Sequence, residues 1–204
     1  MQRTQLGCFL WYCNKVRRLS MPKTKVELIE NFLVVWDSSE GSQLYKTGYY
    51  GKPLGIAKPK IPEFNVPLLL DLMEGLYLAE KKKVTIYEGP EKRKVGFKKL
   101  KQKAKQLYDE FDEKYAVYHD LRDSGLIVTP GIKFGCDFAV YKYGPGVEHA
   151  PYMVSVKKSD ADLSATEIVK AGRLATTVRK RFIIAVPDLA AGKTKYLIFK
   201  WFKA

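Results

Sequence analysis

The 204-residue chain has few cysteines and histidines, and it lacks a long hydrophobic run. Its three cysteines, Cys8, Cys13 and Cys136, form no CxxC pair, and there are only two histidines, so we expect no metal site and no cofactor. No apolar stretch approaches the roughly 20 residues that a membrane-spanning helix needs. The apolar segment 6–13 also lacks the flanking residues of a signal peptide. Together these absences predict a cytoplasmic protein without a membrane-spanning segment.

Acidic residues are scarce relative to basic ones. The chain has 22 Asp and Glu against 36 Lys and Arg, which gives a formal net charge of +14. A thermophile-type surface would carry many charges of both signs without so large an imbalance. A polyanionic partner explains the excess better, with nucleic acid as the first candidate and a membrane surface as the second. We favour nucleic acid and expect no membrane partner.

The order of the hydrophobic patterns predicts a mixed fold with two domains. Hydrophobic residues make up 46% of the chain and charged residues 28%, as in ordinary globular proteins. Residues 1–20 hold four basic and no acidic residues, and Met21 resembles a natural start, so we expect 1–20 to be a disordered or non-native extension. We predict an α/β (mixed α+β) protein: a small N-terminal α/β domain over 21–112, then a C-terminal domain over 113–204 with a central mixed sheet flanked by helices.

The element predictions follow from periodicity and turn residues. In the first half we expect a strand within 25–36, a polar turn at 37–43, an extended loop over 44–67, a helix over 66–82 that begins near Pro67, a strand at 84–87 and two helices within 97–125. In the second half we expect short strands in LIVTPG, KFGCDFAVYKY and PYMVSVKK, a helix over 164–180, a buried strand in KRFIIAVP and a last strand in KYLIFKWFK. Ser164 and Glu167 have capping-box spacing.

Three polar residues stand out in the second half. Tyr141 ends the run DFAVY, His149 follows eight residues later across the turn GPGVEH, and Lys180 lies where the last helix meets the buried strand. Cleavage of RNA without a metal needs a base for the ribose 2′-OH, an acid for the leaving 5′-oxygen and a cation near the phosphate. Histidine suits proton transfer and lysine suits the phosphate. A tyrosine base ionises only near pH 10 in water, so it needs a nearby cation to stabilise the phenolate.

These residue types are consistent with one metal-free phosphodiester site, but their spacing does not prove that they converge. A single histidine in a turn is usually structural or solvated, and tyrosine is abundant in this chain. Lys180 lies in the run RKR, which could be an ordinary solvated face.

Residues 121–156 and 167–186 resemble the catalytic domain of the tRNA-splicing endonucleases (tRNA-intron lyases), especially the archaeal ones. A KFG-x-DF-x-VY block and a GR-x6-K element occur together with the three candidate positions. The resemblance implies that Tyr141 is the general base, His149 the general acid and Lys180 the charge stabiliser. It also implies a substrate, precursor tRNA with a bulge–helix–bulge motif, and products with 2′,3′-cyclic phosphate and 5′-hydroxyl ends, formed without a metal.

The resemblance also implies RNA contacts. Arg173 matches the arginine that clamps a flipped-out bulge base, with Trp201 as its partner or Lys200 as the alternative. Residues 22–110 resemble the family's small N-terminal domain, and YYGKPLGIAKPK resembles an RNA-binding insertion of the crenarchaeal catalytic subunits. Phosphate contacts are therefore expected from Lys46, Lys52, Lys58 and Lys60, although an ordinary basic loop explains these lysines equally well.

Family members assemble as homotetramers, as dimers of double-length chains, or as heterotetramers with an inactive paralogue. The acidic loop that assembly uses corresponds here to residues 187–195, which carry only Asp188 and two lysines. We therefore expect the crenarchaeal-like type, a heterotetramer of two catalytic and two structural chains in which the partner brings the acidic loop. The apolar strand KYLIFKWF would also need pairing or cover.

Two other functions remain open. A non-catalytic RNA-binding subunit is the main alternative, although it would not need the complete Tyr141, His149 and Lys180 set. A metal-dependent nuclease needs clustered carboxylates, and the acidic residues of 136–181 have no obvious ligand spacing.

Overall fold

The computed structural model describes residues 23–57, 59, 61–177 and 180–199. The predicted extension 1–20 lies outside these residues, as do Lys58, Lys60, Lys200 and Trp201. No helix in the described part of the chain is long and apolar enough to cross a membrane. The cytoplasmic location stays a prediction.

The first half builds a six-stranded sheet with helices. Its elements are β1 (Thr24–Ile29), β2 (Phe32–Val35), α1 (Ser38–Gly48), β3 (Lys52–Pro53), β4 (Leu68–Leu70), α2 (Leu72–Glu80), β5 (Val84–Glu88), β6 (Arg93–Lys94) and α3 (Phe97–Leu107). The strand order is β3-β4-β2-β1-β5-β6. Only β1 and β5 pair in parallel, so the sheet is mixed.

The second half builds a five-stranded mixed sheet with the order β11-β10-β9-β8-β7. Its elements are α4 (Phe111–Asp123), β7 (Ile127–Pro130), a 3-10 turn (Ile132–Phe134), β8 (Phe138–Tyr141), β9 (Tyr152–Val156), α5 (Ala165–Thr177), β10 (Arg181–Asp188) and β11 (Lys193–Phe199). The strands β9 and β10 are parallel, and α5 is the crossover between them. The predicted mixed α+β class is confirmed.

Two element predictions in the first half are wrong. Residues 38–48 form helix α1, where we predicted a turn followed by a loop, because the Asp37 side chain caps the helix by accepting a hydrogen bond from the backbone N–H of Glu40 at 2.9 Å. The next helix begins after Asp71 and not near Pro67, because Asp71 and Glu74 form a capping box there. Leu68–Leu70, just before it, pairs as strand β4.

The predictions for the second half hold better. The Ser164 hydroxyl accepts from the backbone N–H of Glu167 at 3.2 Å, and the Glu167 carboxylate accepts from the N–H of Ser164 at 3.0 Å, so the capping box is confirmed. The strand β10 is buried on both faces, as its apolar run predicts. Ile183 and Ala185 belong to the main core, whereas Phe182 and Ile184 pack in a second cluster on the other face.

Arg122 on α4 ties the two halves together. Its side chain is buried, and the guanidinium donates to the hydroxyl of Tyr118, to the carbonyl of Gly48 at the end of α1 and to the carbonyl of Val128 on β7. The main hydrophobic core likewise runs without a break from β1 to β10. The boundary that we placed between residues 112 and 113 stays a prediction, and it falls inside α4, which packs on the second sheet and on α2 and α3.

An acidic pair, the buried Glu74 and the half-buried Asp71, lies next to this arginine. The Glu74 carboxylate accepts hydrogen bonds from the backbone N–H of Gly51 and of Asp71, both at 3.0 Å. Burial, and after it the charge of Asp71, raises the pKa of Glu74 to about 7 from an ordinary value of 4.5.

We expect the stability of the fold to respond to Glu74 between about pH 4.5 and 7. Because its pKa is higher in the folded state, the folded chain holds a proton that the unfolded chain has released, and stability falls as the pH rises through this window. One proton accounts for up to about 1.4 kcal/mol per pH unit. Urea unfolding of the wild type and of Glu74→Gln across these pH values measures how the free energy of unfolding depends on pH. The same pH dependence in the variant as in the wild type would contradict the prediction.

Candidate active site

The candidate residues Tyr141 and Lys180 lie at one end of the second sheet. In the register of β8, β9 and β10, Val140 pairs with Tyr152, and Tyr152 pairs with Arg181. Tyr141 follows Val140 at the end of β8, and Lys180 precedes Arg181 at the start of β10, so both lie just beyond these pairs at the same end of the sheet. Beyond the paired register, the backbone N–H of Arg181 donates to the carbonyl of Pro151 at 2.9 Å, which keeps the strand ends aligned.

The two side chains also share a face of the sheet. Side chains alternate along a strand, so Tyr141 shares a face with Ala139, and Lys180 shares one with Phe182. Ala139 and Phe182 are both in the second hydrophobic cluster, and Tyr141 packs against it. Since adjacent strands lie about 4.8 Å apart, two strand spacings put the Cα atoms of Tyr141 and Lys180 roughly 10 Å apart.

Lys180 is held over an aromatic ring. Its Nζ lies 3.8 Å from the centroid of the Phe134 ring, which belongs to the 3-10 turn before β8. This is a close cation–π contact. Partial burial lowers the pKa of the Lys180 ammonium, opposed by a smaller effect of Cys136. Phe134 is therefore part of the candidate site, a role that its place in the KFG block did not predict.

His149 lies on the exposed loop between β8 and β9. The loop is ordered by Glu148, whose carboxylate accepts from the backbone N–H of Lys142 at 2.5 Å and of Tyr143 at 2.6 Å. After His149 the chain is anchored by Ala150, which is buried in the second cluster. The histidine is therefore exposed between two fixed neighbours, at the same end of the sheet as Tyr141.

The three candidate side chains are not joined directly to one another. Among the described residues, no hydrogen bond joins the side chains of Tyr141, His149 and Lys180 to one another. Catalytic hydrogen bonds often form only around the substrate, so this geometry is compatible with a catalytic role. Hydroxyl, imidazole and ammonium groups around one end of a sheet can donate and accept protons and attract an anion.

The three predicted RNA-contact residues that the structure describes lie on three different elements. Arg173 is exposed on α5. Lys46 is exposed on α1 and forms a 3.8 Å ion pair with Glu63, and Lys52 is exposed on β3. The other four predicted positions, Lys58, Lys60, Lys200 and Trp201, fall outside the described residues.

Metal ligands are not clustered in the described chain. Within residues 23–57, 59, 61–177 and 180–199, no group of three His, Cys, Asp or Glu side chains could hold an ion. Metal independence itself stays a prediction.

Two family models match the chain. Residues 111–196 match the catalytic C-terminal domain of the tRNA intron endonucleases, and residues 24–101 match the N-terminal domain of the same family. The chain belongs to the tRNA intron endonuclease family. The two matches divide the chain into the same two sheet-containing halves as the fold. Along the sequence, α3 and α4 come after the last strand of the first sheet and before the first strand of the second.

Curated relatives of this tRNA intron endonuclease chain agree. A protein named tRNA-splicing endonuclease from Hyperthermus butylicus is 45% identical over 170 residues, which cover 83% of this chain and 93% of the relative. Proteins of the same name from Sulfurisphaera tokodaii and Saccharolobus islandicus are 42% and 38% identical, and the matches cover 87% and 88% of this chain and 98% of each relative. The resemblance inferred from the sequence is confirmed at the level of the family.

We expect Lys180 to titrate below the ordinary lysine range, because its ammonium is partly removed from water. Reductive ¹³C-methylation followed by NMR across pH 8–11 measures each lysine, and the signal missing from Lys180→Arg assigns the resonance. A midpoint at or above that of a free lysine side chain would contradict the burial of this ammonium.

Proposed function

We propose that this chain is the catalytic subunit of a metal-independent endoribonuclease that removes introns from precursor tRNA by cutting bulge–helix–bulge junctions. Membership of the tRNA intron endonuclease family supports the substrate class. One observation supports the chemistry: Tyr141 and Lys180 lie at the same end and on the same face of the second sheet, and His149 lies on the loop that follows the strand of Tyr141, β8.

The reaction is an internal transesterification. The Tyr141 phenolate takes the proton of the ribose 2′-OH, and the 2′-oxygen forms a new bond to phosphorus. The bond from phosphorus to the 5′-oxygen breaks, and the His149 imidazolium gives its proton to that oxygen. The products are a 2′,3′-cyclic phosphate and a 5′-hydroxyl, and the charges balance without a co-reactant.

Lys180 serves the phosphate in this scheme. Its ammonium stabilises the negative charge that develops on the non-bridging oxygens, and the contact with the Phe134 ring fixes where that charge sits. A preorganised cation is worth more than a mobile one, because it does not have to be reoriented during the reaction.

The RNA contacts belong to the same proposal. Arg173 clamps an unstacked bulge base together with Trp201 or Lys200. Lys46, Lys52, Lys58 and Lys60 contact phosphates of the substrate; the exposure of Lys46 and Lys52 and the net charge of +14 support electrostatic binding of this kind.

We expect cleavage of a bulge–helix–bulge RNA to persist in excess EDTA, with products that carry cyclic phosphate ends. His149→Ala should slow single-turnover cleavage roughly 100- to 10,000-fold, the usual worth of a general acid, while RNA binding changes little. Tyr141→Phe should behave in the same way, because it removes only the hydroxyl.

Loss of cleavage in EDTA would reject the metal-free scheme. Equal loss of binding and cleavage in His149→Ala would favour a structural role. Full activity in both variants would favour the non-catalytic RNA-binding alternative.

We further propose that this subunit works in a heterotetramer with a structural paralogue. The Asp188 carboxylate accepts hydrogen bonds from the backbone N–H of Ala190 and of Ala191, so the one acidic side chain of loop 187–195 is used within its own turn. Strand β11 lies at the edge of its sheet, where Leu197 and Ile198 are each 50% exposed. Such an edge favours pairing with another chain.

We expect the chain alone to fall short of an active tetramer, and an added paralogue with an acidic loop to restore cleavage. Light scattering after size exclusion measures the mass of each sample, and the same fractions are assayed on the bulge–helix–bulge RNA. A homotetramer of this chain that cleaves without a partner would overturn the proposed assembly.

A further inference from the structure

The segment Gly48–Gly51 of the N-terminal half is fixed at both ends. The buried guanidinium of Arg122 donates to the carbonyl of Gly48 at 2.7 Å. The backbone N–H of Gly51 donates to the Glu74 carboxylate. Between them the side chain of Tyr50 is only 5% exposed and lies under Arg122, with 4.3 Å from its ring centroid to the guanidinium carbon. These contacts fix the chain on both sides of Tyr49 and therefore set its position.

Tyr49 has a backbone that an L-residue adopts only when its surroundings require it. It caps α1 in the left-handed region with φ of 52°, and its N–H donates to the carbonyl of Tyr45 at 2.6 Å. Its ring packs edge-on against the buried ring of Tyr45, with 5.2 Å between centroids. The conformation directs the Tyr49 ring out of the N-terminal half and onto Gly144 of the His149 loop.

The contact with Gly144 is close and specific. Gly144 has φ of 122°, and a Cβ atom placed on it would lie only 2.4 Å from Cε2 of Tyr49, so glycine alone fits beneath this ring. The carbonyl of Gly144 accepts from the N–H of Val147 at 3.3 Å and of Glu148 at 3.2 Å. The next residue is His149, which Ala150 anchors on its other side.

We propose that Tyr49 is a positioning residue for His149: the N-terminal half holds the loop of the general acid through the Tyr49–Gly144 contact. The contacts run without interruption from Arg122 through the end of α1 to the loop. The inference rests on the proposed function, because it takes His149 to be the acid. A displacement of about 1 Å in a catalytic group can cost up to about 100-fold in rate.

The first measurement separates cleavage from binding. Tyr49→Ala in the assembly that cleaves RNA should slow single-turnover cleavage roughly 10- to 100-fold, while the RNA dissociation constant stays within about twofold. Tyr49→Phe keeps the ring and should match the wild type. Tyr87→Ala, on β5 and away from the loop, is the matched control and should also match. Weaker binding in proportion to the slower cleavage would make Tyr49 an RNA contact and overturn the inference.

The second measurement asks whether the defect lies in protonation of the leaving group. A substrate with sulfur in place of the 5′-bridging oxygen at the cut releases a thiolate, which leaves without a proton. The defects of both His149→Ala and Tyr49→Ala should therefore shrink to within a few-fold on this substrate. If only the His149→Ala defect shrinks, the positioning role fails and the proposed function stands. If the His149→Ala defect persists, the acid role fails, and the inference fails with it.

Gly144→Ala tests the same contact by changing the residue beneath the ring. It also replaces Tyr49→Ala as the test if that variant does not fold, which thermal melting detects. It should reproduce the slow cleavage, the unchanged binding and the rescue by sulfur. Where both single variants fold, the double variant should be no slower than the slower single one, because both remove one interaction. Additive losses, or wild-type rates in Gly144→Ala, would overturn the inference.

Discussion

The parallel register of β9 and β10 is the constraint on which the rest of the site depends. It places Arg181 beside Tyr152, which in turn pairs with Val140, so Tyr141 and Lys180 come to one end and one face of the sheet. A slip of one residue in either pairing would send a candidate side chain to the opposite face. The packing of β10 opposes such a slip, because Ile183 and Ile184 pack in different clusters on opposite faces and a shift of one residue would force both clusters to repack.

The other candidate groups lie on loops or are held by them, and contacts outside the sheet fix the conformation of these loops. Glu148 uses its carboxylate to close the loop before His149, and Phe134 holds the ammonium of Lys180. Arg122 and the end of α1 bring Tyr49 against the same loop. The N-terminal half thus reaches the candidate site through the Tyr49–Gly144 contact, while the main core joins the two halves from β1 to β10.

Strong local signals made much of the fold predictable. The apolar run of β10 and the capping box of α5 each carry their information in adjacent residues, and each is found as predicted. Helix α1 was missed because its serines and glycine favour turns, and only the cap at Asp37 and the packing of Leu44 and Tyr45 outweigh that preference.

The sequence by itself determined the family, the fold class and the identity of the candidate side chains Tyr141, His149 and Lys180, because these depend on residue type and spacing along the chain. Only the tertiary structure decided that Tyr141 and Lys180 share a face, that Phe134 lies beneath the lysine and that Tyr49 packs on Gly144. The last contact joins residues 95 positions apart, and the lysine contact joins residues 46 apart. No local pattern encodes such contacts, since they arise from strand register and from the burial of Arg122 between the two halves.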